Sequence, residues 1–192
     1  MAEDLKKIIT SLKSSVDVLG HSMGGKASMV LAINNPDLVN RLLIVDIAPI
    51  KYQHDQSINI SIMKNLPIDD LSRRSDADLI LKKTLPDDAL RAFFLQSLII
   101  SPNGNSWQLN LDALDKNMDK IIGFPDVSGQ FNGMTFFLKG ELSNYISDKD
   151  LPNINRLFPR NKIITIKNSG HWVHAEATRD FLISVKEYLS GS

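Results

Sequence analysis

Three residues of this sequence have the types and the chain order that nucleophilic acyl chemistry requires: Ser22, Asp46 and His171. A serine hydroxyl is a weak nucleophile until a base takes its proton, and an imidazole base needs a carboxylate to fix its tautomer. Ser22 stands at the apex of Gly20-His21-Ser22-Met23-Gly24, a G-x-S-x-G bend between the strand-like Val16–Leu19 and a helix-like run, Lys26–Asn34. Such a bend holds the serine at a strained backbone position with its hydroxyl above a sheet. Its flanks must be nearly free of side chains, and Gly20 and Gly24 are expected to meet that need. The amide of Met23, at the positive end of the following helix, then faces the oxyanion that develops on an attacked carbonyl.

The base is selected among four histidines. His21 is the variable position of the bend and is expected to point away. His54 lies in the exit to an inserted segment and His174 opens the final helix. His171, in the loop Asn168-Ser169-Gly170-His171 after the last strand, is the candidate. The acid is Asp46 or Glu141. Asp46 is favoured because it ends an otherwise apolar run, where an unpaired carboxylate would be costly. Glu141 follows Gly140 after a later strand and is the alternative. Lys26 reads as a solvated helix residue. Phe93, Trp107 and Trp172 are candidates to line an acyl pocket, with core packing as their ordinary use.

These residues need a scaffold that brings distant positions together. Leu5, Ile8, Ile9 and Leu12 fall on one face of a helix over Glu3–Ser14. After the bend, the helix carries Ala27, Val30 and Leu31 on one side and stops at Asn34-Asn35-Pro36. Arg41–Asp46 is a second strand, apolar on consecutive positions as strands covered on both faces are. From Lys51 to about Gly123 strand signals vanish. Ser75 and Thr84 open candidate helices there, the second with Pro86 in its first turn. Met134–Leu138 and Lys162–Ile166 are the third and fourth strands, separated by a helix near Asp148–Leu157. A last helix runs from about Ala175 to Ser190. The alternation gives a parallel α/β sheet with a helical cap inserted after the second strand. Residues 1–50 then supply the core with the bend, 51–125 the cap, and 126–192 the rest of the core with the histidine loop. In an open parallel sheet, reactive groups collect at the carboxyl ends of strands, where Ser22, Asp46 and His171 all fall.

Lysine and arginine total 22 against 22 acidic residues, so nothing electrostatic favours nucleic acid or an anionic membrane. Leu42–Ile50 is the nearest approach to a membrane span, and Asp46 and Pro49 interrupt it. The N-terminus lacks the apolar core of a secretory signal, which makes the cytoplasm the default location. The absence of cysteine removes disulfides and thiolate metal sites.

Three blocks carry a resemblance: Gly20-His21-Ser22-Met23-Gly24-Gly25-Lys26, Val45-Asp46-Ile47-Ala48-Pro49 with Tyr52, and Gly170-His171-Trp172-Val173-His174-Ala175-Glu176. Together they resemble the α/β-hydrolase superfamily, in the branch of esterase YbfF and the abhydrolase-domain serine esterases and thioesterases. The resemblance implies a serine hydrolase acting on short- to medium-chain carboxylic esters or acyl thioesters, without metal or organic cofactor. It implies Ser22 as nucleophile, His171 as base and Asp46 as acid. Members of that superfamily carry about four further strands before the first helix seen here, with a loop that supplies a second oxyanion amide. The expectation is therefore an N-terminally truncated α/β-hydrolase fold, in which the serine strand is an uncovered edge open to self-association. The alternative expectation is a catalytically impaired remnant that needs a partner or the missing segment.

Overall fold

Strands covered on both faces are apolar on consecutive residues, and that pattern organises the computed structural model, which describes residues 1–53 and 56–190. Two compact units form: Met1–Lys51 with Gly123–Ser192, and Tyr52–Ile122.

The chain opens with helix α1 (Ala2–Ser11), which buries Ile9 and packs against the helix that follows the first strand. Strand β1 (Val16–His21) leads through Ser22 into α2 (Met23–Asn34). Helix α2 is apolar around most of its circumference, and Met29, Leu31 and Ala32 are fully enclosed. Strand β2 (Val39–Val45) follows, with Leu42 to Val45 all buried.

The second unit holds helices α3 (Ser57–Lys64), α4 (Arg74–Leu81) and α5 (Asp88–Gln96), then strands β3 (Leu98–Ile99) and β4 (Ser106–Trp107), then α6 (Leu111–Lys116) and α7 (Met118–Ile122). It has apolar clusters of its own, one around Met63, Phe94 and Leu111 and one around Leu71, Leu81 and Leu98. Three details differ from the sequence reading. Helix α4 is preceded by Arg73 with no side-chain cap, so Ser75 lies inside its first turn and does not cap it. A two-residue antiparallel ladder, β3 with β4, flanks the turn at 101–105; strands that short leave no periodic signal. The α5 cap is Asp87, whose carboxylate accepts from the amides of Ala89 and Leu90, and not Thr84.

The first unit resumes with β5 (Met134–Gly140), α8 (Leu151–Leu157), β6 (Asn161–Ile166), α9 (Val173–Glu176) and α10 (Thr178–Ser190). The last two, expected as one helix, break at Ala177. The four main strands are parallel, in the order β1-β2-β5-β6. Alternation along β5 sends neighbouring rings to different partners: Phe136 packs on Tyr188 of α10, and Phe137 on Phe158 after α8. Among the described residues β1 pairs only with β2, and Leu19 on it is 48% exposed. No described helix is long and apolar enough to cross a membrane.

Candidate active site

Each main strand delivers one part of a cluster at its carboxyl end. At the end of β1, Ser22 takes φ +53°, a left-handed backbone that costs a residue with a Cβ on the order of 1–3 kcal/mol. Its amide donates to Val45 O at 3.1 Å and its carbonyl accepts from Lys26 N, so the strain is held between β2 and α2. Crowding at the bend explains two glycines, one of them unexpected. A Cβ on Gly20 would lie 2.6 Å from Gly24 O and from Ser28 Oγ; one on Gly25 would lie 2.6 Å from Ile47 Cγ2. A Cβ on Gly24 would meet nothing within 4 Å, so the second close approach belongs to Gly25 and not to Gly24.

At the end of β2, Asp46 also has positive φ, +48°, and is fully buried. Its amide donates to Leu138 O at 2.8 Å, which ties it to β5. Oδ1 accepts from the Gly140 amide at 3.0 Å, and Oδ2 accepts from the Ser143 hydroxyl. Oδ2 also lies 2.8 Å from Nδ1 of His171. The loop after β6 presents His171, whose Nε2 lies 3.0 Å from Ser22 Oγ. Because Asp46 Oδ2 can only accept from the imidazole, Nδ1 carries the proton and Nε2 is left free to accept from the serine. The Tyr145 ring stacks on the imidazole at 4.0 Å with 23° between planes. Burial and the Asp46 charge push the Tyr145 phenol up, so it stays neutral beside the imidazole.

The other sequence candidates fall out as follows. The Met23 amide is the first N–H of α2 and has no intrahelical acceptor by the geometry of helix ends. Trp172 makes an edge contact with His171 at 5.8 Å. Glu141 is exposed and accepts from the Asn168 amide at 3.0 Å, so its carboxylate serves the turn after β6. Phe93 and Trp107 lie in the second unit, where Trp107 packs against both apolar clusters and Phe93 is 46% exposed beside Phe94. His54 lies outside the described residues.

Lys26 and His21 depart from expectation. Lys26 is buried, with Nζ donating to Gly123 O at 2.8 Å, and burial lowers its pKa to about 8. His21 does not point away. Its Nε2 lies 2.9 Å from the His171 carbonyl oxygen, and its ring packs on those of His171, Trp172 and His174. Ser143, Tyr145 and Glu176 are further residues of the cluster to which sequence reasoning assigned no role. Only Glu176, six positions after Gly170 on a helical turn, had a local signal. No cluster of ligating side chains suited to a metal occurs among the described residues.

The chain matches the alpha/beta hydrolase fold family over residues 1–178. It is 38% identical over 197 residues to the mouse protein named sn-1-specific diacylglycerol lipase ABHD11, covering 99% of this chain and 64% of that protein. Esterase YbfF of Escherichia coli is 28% identical over 194 residues, covering 99% of this chain and 74% of the other. Among solved structures, one described as a marine microorganism esterase superposes with a TM-score of 0.92 at 35% identity, over 97% of this chain and 75% of the other. The chain thus spans under two thirds of the length of its mouse relative. Fold, sequence match and superposition agree, and the chain belongs to the α/β-hydrolase family.

Proposed function

We propose that this chain is a serine hydrolase that cleaves carboxylic esters, or acyl thioesters, of short to medium chain length through an acyl-enzyme. One observation carries the reading: Ser22 Oγ, His171 Nε2, His171 Nδ1 and Asp46 Oδ2 are linked in series at 3.0 and 2.8 Å. As Ser22 Oγ bonds to the acyl carbon, its proton passes to His171 Nε2 and the carbonyl electron pair moves onto oxygen. The Met23 amide, at the positive end of α2, stabilises that oxyanion. Collapse re-forms the carbonyl and breaks the bond to the alcohol or thiol, which leaves with the proton from His171. Water repeats the sequence: its proton goes to His171, its oxygen bonds to the acyl carbon, and Ser22 departs with the proton returned. Asp46 accepts from Nδ1–H of His171 throughout and offsets the charge of the imidazolium. The relatives named as esterases and as a lipase support ester substrates.

The test is labelling by a fluorescent alkyl phosphonate. Wild-type chain is expected to label, and Ser22→Ala to lose the label. A second reading, a hydrolase impaired until another segment or partner pairs with it, draws on the open side of β1 and the half-exposed Leu19. Folded wild-type chain that resists the phosphonate would favour that reading over the first.

A further inference from the structure

Building on the catalytic reading above, we infer that His21 is a positioning residue that donates its Nε2–H to the carbonyl oxygen of His171 and so fixes the loop bearing the base. The bond is 2.9 Å long, and a carbonyl oxygen only accepts, so the proton of His21 sits on Nε2. His21 immediately precedes Ser22 at the end of β1. One strand end therefore sets both sides of the 3.0 Å contact between hydroxyl and imidazole. The serine is placed through the backbone, and the base through the neighbouring side chain.

Two further contacts show how tightly this loop is held. The Glu176 carboxylate accepts from the amides of Gly170 at 2.6 Å and Trp172 at 3.0 Å, on either side of His171. His21 takes the remaining direction, the His171 carbonyl. Its ring also lies 4.7 Å from that of His171, 5.6 Å from Trp172 and 5.0 Å from His174. Burial holds His21 toward its neutral form. A neutral imidazole fixes the loop without placing a second positive charge beside His171 when that ring takes the serine proton. Misplacement of a reacting group by about 1 Å costs on the order of 10²-fold in rate, so a loop anchor of this kind is felt in turnover more than in binding.

The test compares His21→Leu, which has no donor, His21→Asn, whose amide is too short to reach, and His21→Gln, which carries an N–H at similar reach. Phosphonate inactivation rates and kcat and KM on p-nitrophenyl butyrate are measured. The Leu and Asn variants are expected to lose about ten- to a hundredfold in inactivation rate and kcat, with KM within about twofold, and Gln to return to within about threefold of wild type. Full rate in the Leu variant, or a Gln variant as slow as Leu, overturns the inference while the catalytic reading stands. If wild-type chain itself does not react, the catalytic reading fails and nitrogen-15 spectra decide. A wild-type His21 in the Nε2–H tautomer, with a His171 Nδ1–H signal that His21→Asn broadens away, supports the anchor. An Nδ1–H tautomer of His21, or an unchanged His171 signal, refutes it. The tautomer measurement needs no variant and holds even if His21→Leu does not fold.

Discussion

Ser143 donates its hydroxyl to Oδ2 of Asp46, the same oxygen that faces His171 Nδ1. Two donors from separate strand ends thus converge on one atom of a fully buried carboxylate, and the Gly140 amide occupies the other oxygen. Hydrogen bonds to charged groups contribute about 1.5–3 kcal/mol. Ser143→Ala is therefore expected to lower kcat/KM about tenfold, and Ser143→Thr to retain most of it. Steady-state kinetics on a chromogenic ester check this.

Asp46 and Glu141 separate cleanly as candidate acids. Asp46→Asn keeps the volume but no longer demands a proton on Nδ1 of His171, so a loss of about 10⁴ in kcat is expected. Glu141→Gln, which alters only a contact to the Asn168 amide, is expected to stay within about threefold. An inactive Glu141→Gln beside an active Asp46→Asn would reverse the assignment.

A Cβ is tolerated at Gly24 in the bend, but not at Gly20 beside it or at Gly140, the last residue of β5. A Cβ at Gly20 meets backbone and Ser28 at 2.6 Å, and one at Gly140 meets Gly170 O at 2.1 Å. Gly20→Ala and Gly140→Ala are expected to cost on the order of 2–3 kcal/mol, a fall of roughly 4–12 °C in Tm. Gly24→Ala, where no atom lies within 4 Å, is expected to leave Tm within about 2 °C. Thermal denaturation followed by circular dichroism distinguishes them.

Glu176 holds the amides on both sides of His171. Glu176→Ala frees that loop without touching the reacting atoms, so kcat is expected to fall about tenfold with little change in KM. Amide hydrogen exchange should speed up at Gly170 and Trp172 in the same variant. Unchanged exchange would mean that the carboxylate does not anchor the loop.

Lys26 makes stability depend on pH. Burial lowers its pKa from 10.5 to about 8 in the folded chain. Between about pH 8 and 10.5 the unfolded chain then binds more protons at this site than the folded chain, so this contribution to stability rises with pH across that window. Urea denaturation at pH 7.5, 9 and 10.5 should show the rise in wild type relative to Lys26→Met. A constant difference between the two would rule it out.

Local sequence determined the four strands of the main sheet, most of the helices that flank it, and the bend. Consecutive apolar residues at 42–45 could only be covered on both faces, and a serine between small residues at 20 and 24 could only turn sharply. The order Ser22, Asp46, His171 was also legible, because each residue follows a strand and parallel strands deliver their ends to one side of a sheet. What surrounds these residues was decided by tertiary structure. His21 meets the His171 carbonyl 150 positions away, Ser143 meets Asp46 across 97, and Lys26 meets Gly123 across the same span. Those partners depend on strand order and on the exact reach of side chains from neighbouring strand ends. Neither periodicity nor spacing along the chain encodes them, since the distances are set only once the β1-β2-β5-β6 sheet has formed.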